Sequence, residues 1–152
     1  VVATDIFPER LQEAEKILGV EIIEPDKIFE VSCDVFSPCA MGAVINEDTI
    51  DRFRCRIIAG SANNQLKDSD LGVKLGEKDI LYAPDYVING GGVINVVEEL
   101  SGLPYDFHRV VAKLQVIPTR LKEIFAYAER EGLPTAEACD RVTEQKFQRK
   151  AE

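Results

Sequence analysis

One segment decides how the whole chain is interpreted: Leu81-Tyr82-Ala83-Pro84-Asp85-Tyr86-Val87-Ile88-Asn89-Gly90-Gly91-Gly92-Val93-Ile94-Asn95-Val96. It begins as a short strand, turns at Pro84 and reaches three consecutive glycines, behind which apolar residues follow at helical spacing. A glycine triplet inside a folded domain is typical of a place where a ligand or another backbone approaches the main chain closely. The alternative interpretation is a glycine-rich turn in front of a core helix.

Upstream of this segment, short apolar runs alternate with helical patterns. Such alternation with short connections indicates βαβ units around a parallel sheet. We therefore predict an α/β fold, with a Rossmann-like, mostly parallel sheet and flanking helices. The predicted strands are 1–4, 20–23, 32–36, 55–59 and 80–82, and the predicted helices between them lie at 8–18, 25–29, 46–53 and 70–78.

Beyond Val96 the pattern becomes entirely helical. A 3.6-residue apolar period predicts one long helix through residues 105–128, kinked at Pro118. Gly132 ends this helix, and Thr135 is predicted to cap a last helix over residues 136–147. We predict a single domain over residues 1–152, with Rossmann-like βα repeats in 1–100 and C-terminal helices in 101–152.

Composition and charge exclude several classes of protein. The chain has 152 residues, 45% of them hydrophobic, and a net charge of -9, which argues against nucleic acid or an anionic membrane surface as a partner. No apolar run has transmembrane length, and the opening residues read as a strand rather than a secretory leader. The cysteines are scattered and His108 is the only histidine, so we predict no metal site and expect reduced thiols in a cytoplasmic protein.

Three of the predicted strands end in segments of small or amide side chains, at 37–42, 60–64 and 89–95. Ligands of parallel sheets bind beyond the carboxyl ends of the strands, so this coincidence predicts a dinucleotide crevice. Asp5 follows the first strand, where a carboxylate accepts two hydrogen bonds from an adenosine ribose diol. The same carboxylate would repel a 2′-phosphate, which favours NAD over NADP as the cofactor.

The expected first unit of such a fold is missing. A dinucleotide-binding fold normally opens with a strand, a G-x-G-x-x-G loop and a helix, and its acidic residue follows about 20 residues later. Here that acidic residue is already Asp5, so the strand that is usually central is absent and the strands at 1–4 and 32–36 would flank a gap. Either the strands close up, another chain fills the gap, or the sequence is a fragment of a longer protein.

Three long segments in a fixed order resemble one enzyme family. Residues 33–44 (Cys33-Asp34-Val35-Phe36-Ser37-Pro38-Cys39-Ala40-Met41-Gly42-Ala43-Val44), residues 58–66 (Ile58-Ala59-Gly60-Ser61-Ala62-Asn63-Asn64-Gln65-Leu66) and residues 82–96 are similar to the leucine/phenylalanine/valine branch of the amino-acid dehydrogenases, which is related to glutamate dehydrogenase. The resemblance covers essentially the whole chain. Gly90 is a mild departure, because the family often has a different small residue there.

The resemblance implies NAD-dependent oxidative deamination of a branched-chain or other apolar L-amino acid to a 2-oxo acid and ammonia, in a homo-oligomer. It assigns cofactor contacts to Asp5 (ribose), Cys39, Ala40, Ala62, Asn63 and Asn64, and substrate contacts to Asn64, Val93 and Val96.

The resemblance also implies that no catalytic residue lies in this chain. The family's lysines and catalytic aspartate belong to an N-terminal domain that this sequence does not contain. We therefore expect the parent protein to be the enzyme and this chain alone to be inactive. Two alternatives stay open: a non-catalytic Rossmann-like module for nucleotide binding or oligomerisation, and a different oxidoreductase that shares the sheet and supplies its own His, Lys or Cys.

Overall fold

A computed structural model describes residues 1–148, and it confirms the predicted α/β class. Residues 149–152 of the predicted C-terminal helical part lie outside the described residues. The strands are β1 (Val2–Ala3), β2 (Glu21–Ile22), β3 (Val35–Phe36), β4 (Ile57–Ile58) and β5 (Leu81–Tyr82). The helices are α1 (Pro8–Leu18), α2 (Asp70–Glu77), α3 (Asp85–Ile88), α4 (Gly91–Glu99), α5 (Phe107–Leu114), α6 (Val116–Glu131) and α7 (Thr135–Gln148), with a single 3-10 turn at Ile28–Glu30.

All strand pairs are parallel, and they form two separate sheets. In the first, β1 pairs with β2 so that Val2 lies opposite Glu21. In the second, the order is β3-β4-β5, and Ile57 lies between Val35 and Leu81. Within residues 1–148 no strand joins β1 to β3, so the gap predicted between these two strands remains open.

The main core lies on the three-stranded sheet. β4 is its central strand, and Ile58 is fully buried there. Leu75 of α2 is also fully buried, which fixes this helix against the sheet. Burying a side chain of this size contributes roughly 1.5–3 kcal/mol. Phe29, Phe36 and Phe53 extend the core, with ring centroids 5.0 to 5.9 Å apart.

The β1-α1-β2 unit has the correct local signals but little burial. Pro8 opens α1, and Gly19 ends it in a left-handed conformation (φ 63°), from which its N–H donates to Glu15 O at 2.8 Å. No residue of α1 is buried. The unit is therefore held by its backbone pattern more than by a core of its own.

The C-terminal helices form a second apolar cluster, in which Ile124 and Ala128 of α6 pack with Ala138 and Cys139 of α7. Thr135 is the first residue of α7 rather than the residue before it, and its hydroxyl donates to Tyr82 O at 2.6 Å. This bond ties α7 to β5.

The helix predicted over 105–128 with a kink at Pro118 is helical on both sides of an interruption, but it forms two helices rather than one. The chain breaks at Gln115 into α5 and α6, and Pro118 lies in the first turn of α6, where its missing N–H needs no partner. The apolar period runs through both helices, so the period alone does not show the break.

The helix predicted over 46–53 is wrong, because these residues form turns. Asn46 Oδ1 accepts from the N–H groups of Asp48 (2.9 Å) and Thr49 (3.1 Å), which is the capping chemistry that suggested a helix. The Thr49 hydroxyl then donates to Val44 O at 2.6 Å. Asparagine and threonine form such local bonds in turns as readily as at helix starts.

A buried carboxylate joins α4 to α5. Glu98 is 1% exposed and accepts from Arg109 Nε and Lys113 Nζ, each at 2.7 Å. Hydrogen bonds from Arg109 and then Lys113 hold the pKa of Glu98 below its usual range. The contact between α4 and α5 therefore includes a buried charged group.

Candidate functional site

The three glycines of the opening segment belong to a helix. Gly90 has a φ of -63° and precedes α4, whereas Gly91 and Gly92 form its first turn. None of the three has a positive φ, and Asn89 and Gly90 form a turn directly in front of α4, so a glycine-containing turn before a helix is what this segment forms, although Gly91 and Gly92 are already helical. A Cβ on Gly91 would lie 3.4 Å from Leu114 Cδ2, while one on Gly92 would meet nothing within 4 Å among the described residues.

Two strand-end loops, 37–42 after β3 and 60–64 after β4, are locked against each other. A Cβ on Gly60 would lie 2.1 Å from Pro38 O, so only glycine fits there. The Ala62 N–H donates to Pro38 O at 2.9 Å, and the Ala43 N–H donates to Asn64 O at 2.7 Å. The two loops therefore present one continuous surface at the carboxyl edge of the sheet.

The backbone at this contact is strained. Ala43 (φ 57°) and Asn64 (φ 50°) both adopt the left-handed backbone conformation, which residues other than glycine rarely adopt. Such outliers persist where the surrounding structure fixes them, and they cluster at functional sites. These two residues form one of the two hydrogen bonds that join the loops.

The third strand-end segment reaches the same place. Asn89 Nδ2, after α3, donates to Asn63 Oδ1. The amide side chains of the second and third segments therefore meet, as their positions at successive strand ends predicted.

A cleft of about 750 Å³ opens beside these amides. Asn63, Asn64 and Asn89 line one side, together with Val93 of α4. The opposite wall comes from α6 and α7, through apolar and charged side chains: Val116, Ile117, Arg120, Ile124, Val142, Lys146 and Phe147.

The charges on the far wall are paired. Lys146 Nζ and Arg120 Nη1 each lie 2.7 Å from Glu123 Oε2, and these two partners hold the pKa of Glu123 below its usual range. No sequence pattern assigned Arg120 or Lys146 to a site. Each lies among polar residues of its own helix, which indicates a solvent-facing position. The sequence does not show that these positions on α6 and α7 face the carboxyl edge of the sheet.

Of the predicted site residues, the structure brings Asn63, Asn64 and Val93 together in the cleft. Ala62 is buried within the 60–64 loop, and Val96 is about half exposed on α4, one turn beyond Val93. The remaining three, Asp5, Cys39 and Ala40, lie on other strand ends.

Asp5 and Cys39 each have a defined environment. Asp5 Oδ1 accepts from the Phe7 N–H at 2.9 Å, and its second oxygen makes no hydrogen bond within residues 1–148. Cys39 is exposed, with its Sγ 3.3 Å from Ser37 Oγ. Burial alone would raise the pKa of the Cys39 thiol, but hydrogen bonds from Ser37 and Ser61 lower it.

Residues 7–150 match the sequence model of the Glutamate/Leucine/Phenylalanine/Valine dehydrogenase family. The chain belongs to this family. Leucine dehydrogenase from Thermoactinomyces intermedius is 47% identical over 148 residues, which are 97% of this chain and 40% of that protein. Phenylalanine dehydrogenase from the same organism is 43% identical over 149 residues, which are 95% of this chain and 40% of that protein.

A solved structure has the same fold. L-tryptophan dehydrogenase from Nostoc punctiforme superposes with a TM-score of 0.92 at 37% identity, over 97% of this chain and 44% of that one. The chain thus spans about two fifths of the length of the relatives it matches.

Among the helices of residues 1–148, none is long and apolar enough to cross a membrane.

Proposed function

We propose that this chain is the NAD-binding part of an L-amino-acid dehydrogenase. The whole protein would convert a branched-chain or other apolar L-amino acid to its 2-oxo acid, ammonia and NADH. The observation that carries the proposal is the meeting of Asn63, Asn64 and Val93 in one cleft at the carboxyl edge of a parallel sheet.

The cofactor half of the proposal rests on polar groups that fit a dinucleotide. Asn63 and Asn64 offer amides, which both donate to and accept from a nicotinamide carboxamide. Asp5 has a carboxylate oxygen available for a ribose hydroxyl and disfavours a 2′-phosphate. Ala62, Cys39 and Ala40 are small enough to let the cofactor lie along the strand ends.

The substrate half rests on α4. Val93 and Val96 lie three residues apart on this helix, and both expose apolar surface. They would form the wall against the substrate side chain, with Asn64 near its polar end. Since one methylene in such a pocket is worth only about 1–3 kcal/mol, the wall favours apolar amino acids as a class. When bound, NAD supplies the acceptor for the hydride that leaves the substrate Cα.

The catalytic base would come from polypeptide outside this chain. A general base must reach the proton it removes and have a suitable pKa. Within residues 1–148, the amine that lines the cleft, Lys146, is paired with Glu123, and His108 is exposed on α5. We therefore propose that these 152 residues alone bind NAD but do not turn over an amino acid.

Assembly as a cytoplasmic homo-oligomer is part of the proposal. Four large apolar side chains are exposed between the last turn of α4 and the first residue of α5: Val97, Leu100, Leu103 and Phe107. Several exposed apolar side chains within one short segment favour a protein interface there. Sedimentation of the longer natural protein tests this point.

Titration of the 152-residue chain and of the longer natural protein with NAD and NADP tests the proposed function. We expect both proteins to prefer NAD, and we expect Asp5→Ala to weaken NAD binding by about tenfold. NADH formation from L-leucine, L-valine or L-phenylalanine should occur only with the longer protein. Failure of the longer protein to bind NAD would contradict the proposal, and turnover by the 152-residue chain would contradict its second half.

A further inference from the structure

One buried amide holds the shape of the 60–64 loop. Gln65 is fully buried, and its Nε2 donates to Gly60 O at 2.8 Å and to Ala62 O at 2.9 Å. The two carbonyl oxygens fix which end of the amide is the nitrogen, because the reverse orientation would place an oxygen against both of them. The side chain thus bridges the first and third residues of the loop that carries Asn63 and Asn64.

One buried carboxylate holds the end of the same loop. Asp85 is 7% exposed, and its Oδ2 accepts from the Gln65 N–H at 3.0 Å. Its Oδ1 accepts from the Tyr86 N–H at 2.9 Å, in the first turn of α3. Although Asp85 borders the cleft, both of its oxygens are thus engaged by backbone, and it fixes the loop relative to the helix that leads to Asn89.

Packing at position 65 does not require the polar amide group of Gln65. Its Oε1 is buried and has no hydrogen-bond partner within residues 1–148. A buried acceptor without a partner is destabilising, and an apolar side chain of the same length would avoid this cost. The feature that such a replacement would lose is the pair of bonds from Nε2 to the loop.

We propose that Gln65 and Asp85 are positioning residues that set the 60–64 loop so that Asn63 and Asn64 present their amides to the nicotinamide half of the cofactor. The inference rests on the proposed NAD-binding function and adds two residues to it. Neither residue touches the cofactor; both act through the loop. The adenosine half, which is assigned to the β1 end at Asp5, is independent of them.

The test compares two ligands on the 152-residue chain by NMR titration: NAD, and ADP-ribose, which lacks the nicotinamide. In wild type, NAD should bind more tightly than ADP-ribose. Gln65→Met keeps the side-chain length and removes the donors, so it should weaken NAD binding about tenfold and leave ADP-ribose binding unchanged. Asp85→Asn, which retains the shape and one acceptor oxygen, should act in the same direction and decides the matter if Gln65→Met does not fold.

A stability-matched control separates positioning from general loss of stability. Ile80→Val removes a buried methyl group from the core beside β5 and has no contact role in the loop. It should lower the unfolding midpoint and leave the ratio of NAD to ADP-ribose affinity unchanged. An equal loss of both affinities in Gln65→Met would show a structural role alone and would overturn the inference.

If wild type shows no preference for NAD, that result counts against the proposed function. The positioning role is then tested by amide hydrogen exchange without ligand. In Gln65→Met the loop-contact amides of Ala43, Ala62 and Gln65 should exchange roughly 10- to 100-fold faster. The Ala83 amide, bonded to Ile58 O in the sheet, should be unchanged. Loop amides as protected as in wild type would overturn the inference.

Discussion

Two parts of this chain have the same strand–helix–strand pattern but bury their apolar side chains to very different extents. In the β1-α1-β2 unit, Ile17 is 68% exposed and Leu18 is 73% exposed. In the three-stranded sheet with α2, Ile58 and Leu75 are both 0% exposed. Both parts contain parallel strands and an amphipathic helix, so the local sequence does not explain the difference.

The number of neighbouring strands explains the difference in burial. β4 has a strand on each side, whereas β1 pairs only with β2. An apolar helix face is stabilised only where a second surface covers it. A strand–helix–strand pattern therefore specifies the secondary-structure elements, whereas the neighbouring strands determine whether these elements bury a core.

Gly60→Ala should be the most destabilising change. Its new Cβ would lie 2.1 Å from a backbone oxygen of Pro38, which cannot move without opening the loop contact. We expect a loss of about 4 kcal/mol or more in the free energy of unfolding, measured by urea denaturation with circular dichroism. Gly19→Ala, at a positive φ with nothing within 4 Å, is the matched control and should cost only about 1–2 kcal/mol. Equal losses would contradict the contrast between the two units.

The same substitution in the two helices should give different results. Leu75→Ala in α2 should lower the free energy of unfolding by about 3 kcal/mol, because it leaves a cavity in the main core. Leu18→Ala in α1 should change it by less than about 0.5 kcal/mol, because this side chain is exposed. A comparable loss from Leu18→Ala would mean that α1 contacts more of the protein in solution than the structure shows.

The α4–α5 pair extends the comparison to a charged core. Glu98→Gln should lower the melting temperature by about 5 °C or more near neutral pH, because Arg109 and Lys113 lose their shared partner. The folded-state pKa of Glu98 is depressed from its ordinary 4.5, so its stabilising effect is fully present above pH 4.5 and is lost as pH falls through the folded pKa.

The measurement for this prediction is the melting temperature of wild type and Glu98→Gln as a function of pH. The two curves should converge in acid and separate as pH rises. Glu99→Gln, which changes the neighbouring exposed carboxylate, is the control and should show no such convergence. A difference between wild type and Glu98→Gln that is constant with pH would contradict the assignment to the ionised carboxylate.

Hydrogen exchange should show the smallest difference. The Glu21 and Ile23 amides, bonded to Val1 O and Ala3 O, should exchange at least tenfold faster than the Ala59 and Ala83 amides of the larger sheet. If the chain is joined to the additional polypeptide that its relatives contain, this difference in exchange rate should narrow, because that polypeptide would cover the first unit. Uniform protection in the 152-residue chain would remove the basis of the comparison.

Much of the fold was predictable because its signals are local. Pro8 and Gly19 bound α1 as predicted, and the short apolar runs became parallel strands in the expected order. The failures have a common physical cause. Asn46 forms the same side-chain hydrogen bonds in a turn as at a helix start. The apolar period continues across Gln115, although the helix ends there.

The site was predictable where strand topology determines position. Asn63 and Asn64 follow β4, and Asn89 follows β5 after the short helix α3, so two neighbouring parallel strands carry the three amides to the same edge of the sheet. Arg120 and Lys146 were not predictable, since their place depends on how α6 and α7 pack against the rest of the chain. The bridging role of Gln65 was equally hidden, because a glutamine after an amide-rich loop carries no sign that it will be buried.

The lock between the two strand-end loops also has a consequence for sequence covariation. Because the backbone of Pro38 occupies the space that any side chain at position 60 would need, the two positions cannot vary independently. Among relatives, a larger residue at 60 should occur only together with a changed 37–42 loop. A mutant library that randomises 60–64 alone would therefore consist largely of unfolded variants, whereas one that exchanges both loops as a pair would retain folded members.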